Sequence, residues 1–147
     1  MLEVHPVLNL LIEFKVKSKN LVALVEHSLC EEGSELDGRA CGDGVAVIGY
    51  NYKAVEQQHR LEDLIETVIH ECLDTLGFAH CLAWRCVMNG VVGQEIWPCP
   101  ACMLKLESEL TVSVKEWYRQ LTQTFAKYKL KRFLIKGEKI LNILEND

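Results

Sequence analysis

The stretch His70-Glu71-Cys72-Leu73-Asp74-Thr75-Leu76-Gly77-Phe78-Ala79-His80 closes a long run of helical periodicity and decides how the chain is read. Leu61, Leu64, Ile65, Val68, Cys72 and Leu76 recur at helical spacing, which predicts a helix over about 57–76 with these residues as its apolar stripe. His70, Glu71 and Asp74 then lie off the centre of that stripe. Gly77 can take the left-handed conformation that ends a helix.

Upstream, Val45-Ala46-Val47-Ile48-Gly49-Tyr50 reads as a buried strand. Residues 32–44, rich in acids and in glycine (Gly33, Gly38, Gly42, Gly44), read as a loop. Asn20 can cap a helix over roughly 21–31 whose apolar face is Leu21, Val22, Leu24, Val25, Ser28 and Leu29. Residues 7–17 alternate, with Leu10, Ile12, Phe14 and Val16 on one side, as in a half-buried strand. Downstream, 78–102 is expected to be irregular, because Pro98 and Pro100 flank Cys99. Helix is expected from 103 to about 126 in two pieces, with Leu106, Leu110, Val114, Trp117, Leu121 and Phe125 inward. A last amphipathic helix over about 128–144 sets Phe133, Leu134, Ile140, Leu141 and Leu144 on a basic background. The sum is an α+β (α/β-like) fold, a small mixed sheet packed on the 57–76 helix followed by a mainly helical C-terminal part. One domain is expected over 1–147, built as an N-terminal lobe (1–77), a second lobe (78–126) and a closing helix (127–147).

The opening stretch carries chemistry as well. It matches three parts of the zinc-protease pattern H-E-x-x-H-x-x-G-x-x-H: the His-Glu pair, the glycine and the last histidine. Residues four apart on a helix share a face, so 70 and 74 can grip one ion. After the turn at Gly77, His80 can swing back to the same point. Glu71, beside the first ligand, is placed to take a proton from water activated by the metal, whose pKa falls from about 15.7 to about 7. The second histidine of the pattern is Asp74 here. Carboxylate oxygens bind zinc at about 2.0–2.2 Å. Aspartate is shorter than histidine, however, so the ion must move toward the helix or a water must bridge. Its charge also weakens the acidification of bound water. A lone His-Glu pair on a helix is usually a solvated polar face; Gly77 and His80 raise the odds of a metal site, and Asp74 in the place of a histidine lowers them.

Four of the seven cysteines follow closely: Cys81, Cys86, then Cys99-Pro100-Ala101-Cys102. Two pairs within so short a span, the second a C-x-x-C, suit a closed tetrahedral zinc site made of four cysteines. Buried thiols packing as small hydrophobes and a redox C-x-x-C are the alternatives. The proline-bracketed turn is poor core, and no strand precedes Cys99 as a thioredoxin-like unit requires. Cys30, Cys41 and Cys72 read as structural.

Together these features resemble the archaemetzincins, the archaelysin-type metallopeptidases of the metzincin clan: a cysteine directly after the last histidine, C-x4-C-x-M over Cys81–Met88, then C-x-x-C. Gly38-Arg39-Ala40 and Gly44-Val45-Ala46-Val47 look like the segment before that family's active-site helix. The resemblance covers about 36–106. It implies a metzincin-type zincin fold and zinc-dependent peptide hydrolysis with Glu71 as general base. It also implies a catalytic-type zinc on His70, Asp74 and His80, a structural zinc on Cys81, Cys86, Cys99 and Cys102, and Met88 as the methionine floor beneath the metal. Its partner would be a peptide or protein substrate if active; neither nucleic acid nor membrane is expected as a partner. The sequence departs at Asp74, in a short Met88–Cys99 interval, and in a region before residue 38 with room for about one strand and one helix. An intact but weak peptidase, a metal-binding pseudoenzyme and a protein with structural zinc alone all remain open.

Composition bounds these options. Apolar residues make up 49% of the 147 and charged ones 25%, as in an ordinary globular chain. The net charge of −5 gives no global footprint for nucleic acid. Residues 127–147 nonetheless hold six Lys/Arg against three Asp/Glu, and the remainder ten against eighteen. A nucleic-acid module using this basic tail ranks last, because its lysines are interleaved with Phe133 and Ile135 as in a packed helix. No run approaches a membrane span, and Met1-Leu2-Glu3-Val4-His5-Pro6 lacks the basic start of a secretory signal. The expected compartment is the reducing cytosol, where clustered cysteines bind metal more often than they pair.

Overall fold

A computed structural model describes residues 1–17, 19–50, 57–90, 95–111 and 113–146, with 57–60 described for their backbone only. Among them the chain is mixed α+β, with two small mixed sheets and five helices. It divides into two compact units, Met1–Trp97 and Pro98–Asp147.

The first unit is built around the strand foreseen at 45–50. This strand, β6 (Val45–Gly49), is central to the order β2-β6-β5: it pairs in parallel with β2 (Leu21–Val25) and antiparallel with β5 (Gly38–Cys41). Val45, Ala46, Val47 and Ile48 are all buried, as a strand covered on both faces requires. Val45 and Val47 face α1 (Val4–Phe14), joining Val4, Leu8 and Leu29 in one core cluster. Each such side chain contributes about 1.5–3 kcal/mol on burial. Helix α2 (Gln57–Thr75) packs against β5 and β6. The second sheet has the order β1-β3-β4, from Leu2–Glu3, Leu29–Glu31 and Ser34–Leu36, with β1 parallel and β4 antiparallel to β3.

The N-terminal third corrects the sequence reading. Residues 7–17 are mostly helix, not strand. Val4 and Leu8, four apart, are buried with Val7 and Leu11 beside them, while the alternating Leu10, Ile12, Phe14 and Val16 are exposed. Pro6 sits in the first turn, where a missing N–H costs nothing. The helix expected over 21–31 is β2 and β3, because Leu21-Val22-Ala23-Leu24-Val25 is an apolar run that finds a parallel partner along its whole length. Asn20 precedes strand β2 rather than a helix; its side-chain amide donates to the Thr75 carbonyl and hydroxyl at 3.0 and 3.1 Å, tying the sheet to the end of α2. The expected loop 32–44 contains β4 and β5. Glu32 and Gly33, with φ of 52° and 81°, form the two-residue turn between β3 and β4, a turn type that matches strand twist. Among its described residues the region before residue 38 therefore holds four strands and a helix, more than the one strand and one helix allotted to it.

Helix α2 lies where expected but turns its other face inward. Leu61 and Leu76 are exposed, whereas Glu62, Glu66, Thr67, His70, Glu71 and Leu73 are buried. The apolar stripe misled because the buried side of this helix carries polar groups.

In the second unit, α3 (Pro100–Leu110) starts at the knuckle rather than at 103. Pro100 occupies its first position, where proline is favoured, so the prolines that suggested irregular chain instead launch a helix. Residues 91–94 of the expected irregular segment lie outside the described residues. Ser113 caps α4 (Val114–Lys127), its Oγ accepting from the Glu116 N–H at 3.4 Å. Helix α5 (Lys131–Asn146) packs on α4 with the rings of Phe125 and Phe133 5.2 Å apart.

Candidate metal centre

His70, Glu71 and Asp74 occupy the last two turns of α2. The helix stops at Gly77, whose φ of 85° permits a double closure: the Gly77 N–H donates to the Asp74 carbonyl at 2.9 Å, and the Phe78 N–H to that of Leu73 at 3.2 Å. The chain then doubles back and presents His80 to the helix. The turn predicted at Gly77 and the convergence of the three residues are both present.

Asp74 Oδ2 lies 3.5 Å from His70 Nε2 and 3.4 Å from His80 Nε2. Donors about 2.1 Å from a tetrahedral ion stand about 3.4 Å from one another, so these separations fit one small dication. At these separations Asp74 would reach such an ion without a bridging water. The His70 and His80 rings are 5.1 Å apart by centroid. His70 is buried, and its Nδ1–H donates to the Val87 carbonyl at 2.6 Å, which commits Nε2 to the site. A Cβ on Gly90 would stand 3.2 Å from His80 Nδ1, so glycine there leaves room for the ring. Asp74 Oδ1 is buried with no hydrogen-bond partner among the described residues, an acceptor that a cation would satisfy.

Glu71 is buried beside this trio. Strand β5 holds it: the Ala40 N–H donates to its carboxylate, and Gly38 lets the strand come close enough to do so. Burial first, then the charge of Asp74, pushes the Glu71 carboxyl up to about 7, against the opposing pull of Arg39 and the Ala40 N–H. Glu71 Oε2 is buried without a partner among the described residues. A cleft of about 290 Å³ opens onto Asp74 and His80, walled by Ala40, Cys41, Gly42, Phe78 and Ala79.

The second cluster also forms. Ligand atoms of Cys81, Cys86, Cys99 and Cys102 lie within 4.8 Å of one another, and those of His70, Asp74 and His80 do the same. Four thiolates about 2.3 Å from one ion would stand about 3.8 Å apart, so the cysteines could hold a metal ion. Cys86, Cys99 and Cys102 are buried and Cys81 half-buried. Met88 is fully buried, and its carbonyl accepts the Cys81 N–H at 2.6 Å.

Two contributors escaped the sequence. The Val87 carbonyl that orients His70 is a backbone atom with no residue-type signal. The closeness of β5 to Glu71 was legible only as a glycine at 38. No protein-family model, curated protein or solved structure matches this chain.

Proposed function

We propose that the chain is an archaemetzincin-like zinc protein whose His70, Asp74 and His80 hold a catalytic-type ion and whose four cysteines hold a structural one, and that it hydrolyses peptide bonds weakly. The observation that carries this reading is the placing of Asp74 Oδ2 between two histidine nitrogens, one of them fixed by the Val87 carbonyl. Zinc bound there supplies Lewis acidity to water and to a scissile carbonyl.

The remaining work belongs to the chain. His70, Asp74 and His80 would hold the ion, with Asp74 and His80 at the cleft. Glu71 Oε2 has no hydrogen-bond partner among the described residues and can accept the proton of an attacking water, while its carboxylate is steadied by the Ala40 N–H. From that position a carboxylate can take a proton from water and return it to the leaving amine. An extended peptide can lie in the cleft over Ala40, Cys41 and Gly42.

A second reading, a zinc-holding scaffold without turnover, is favoured by one observation: the anionic Asp74 sits in the ligand set and cuts the acidity that zinc lends to water. Hydrolysis of a mixed fluorogenic peptide library separates the two. Slow, zinc-dependent cleavage that Glu71→Gln lowers by about a hundredfold or more supports the peptidase. Zinc binding with no cleavage above buffer supports the scaffold.

A further inference from the structure

The structure assigns the outer face of α5 as a docking surface for an anionic lipid bilayer. Phe133 and Gly137 are buried against α4, and Leu134, Ile140, Leu141 and Leu144 are half-buried. At the helical rotation per residue, Lys131, Arg132, Ile135, Lys136, Lys139 and Ile143 share the opposite arc of roughly 140°. All six are exposed.

That arc holds no Asp or Glu. The helix's acids, Glu138 and Glu145, fall together on one flank, and Arg119 of α4 engages Glu145 at 3.4 Å. Lys127, Tyr128 and Lys129, exposed at the preceding turn, extend the basic surface. The sequence suggested that Ile135 packs among these lysines; it is 58% exposed, and Ile143, two turns on, is 62% exposed.

Two large aliphatic side chains standing in water within a basic arc fit the boundary of a bilayer. Lysine and arginine reach phosphate and carboxylate headgroups from a helix lying flat, and aliphatic tips enter the acyl edge. A nucleic acid would draw on the charges and leave Ile135 and Ile143 without a role. The overall charge of −5 opposes general attraction to anions, so binding must come from this face, which acts over the screening length of about 10 Å at 0.1 M salt. The attachment is peripheral: among the described residues no helix is long and apolar enough to cross a membrane.

The test is co-sedimentation of the full chain, as purified without chelator, with phosphatidylcholine vesicles containing about one third phosphatidylserine, and with phosphatidylcholine alone. Binding to the anionic vesicles should be about tenfold tighter or more and should weaken as salt rises. Lys131→Glu/Lys136→Glu/Lys139→Glu should bring it to the neutral-vesicle level. Ile135→Ser/Ile143→Ser should weaken it about tenfold while leaving its salt dependence. Unchanged circular dichroism and zinc content verify that the variants fold. Equal binding to both vesicle types overturns the proposal. So does indifference to the isoleucine variant, or tighter binding to polyglutamate or homopolymeric RNA than to anionic vesicles.

Discussion

Adding one methyl group at Gly38 tests the join between the sheet and the helix that carries Glu71. A Cβ there would lie 2.8 Å from Glu71 Cγ, 2.9 Å from Glu71 Oε1 and 3.0 Å from Thr67 Cγ2. Ordinary carbon–carbon contact is about 3.5–4.0 Å, so the overlaps are on the order of half an ångström or more on two side chains of α2. Gly38 has no left-handed φ, so alanine brings steric cost without backbone strain. Overpacking of this kind costs about 1–3 kcal/mol. If Glu71 swings aside, its bond from the Ala40 N–H is lost, and a bond to a charged group is worth about 1.5–3 kcal/mol. Gly38→Ala should therefore destabilise the metal-free protein by about 2 kcal/mol in urea unfolding. The Glu71-dependent part of any peptidase rate should fall with it. Zinc affinity at His70, Asp74 and His80 should stay within about threefold, because the atoms nearest the added Cβ belong to Glu71 and Thr67. A change in stability below about 0.5 kcal/mol would refute the close packing of β5 on α2.

Asp74→Ala should lower zinc affinity at the histidine site by about a hundredfold or more, read by competition with a chromophoric chelator. Cys99→Ser/Cys102→Ser should abolish the other zinc, and chelator treatment of the parent should lower its unfolding free energy by about 3 kcal/mol or more. Leu29→Ala, at a fully buried position between α1 and β6, should cost about 2–5 kcal/mol in urea unfolding. Ser113→Ala should cost about 1 kcal/mol of stability by removing the cap of α4.

The sequence disclosed most where chemistry and backbone geometry coincide. Gly77, the residues it brings together and the cysteine cluster were legible because each rests on local spacing within a few turns of chain. Strand β6 and helix α2 were legible from their apolar content. The N-terminal region was not. Residues 4–14 carry both helical and alternating apolar patterns, and only packing of Val4 and Leu8 on Leu29, Val45 and Val47 decides for the helix. Leu21–Val25 is an apolar run that suits a strand only once β6 lies beside it. The face of α2 was misassigned because burial there follows the site, with Glu71 reaching β5, rather than hydrophobicity.

The central claim is that Asp74 serves as a ligand between His70 and His80. Zinc per chain, measured by elemental analysis after purification without chelator or added metal, tests it most directly. Two ions are predicted for the parent, one for Asp74→Ala and one for Cys99→Ser/Cys102→Ser, since the clusters use separate donors. A parent holding a single ion, with a count indifferent to Asp74→Ala, would contradict the account and leave the histidine cluster without a metal.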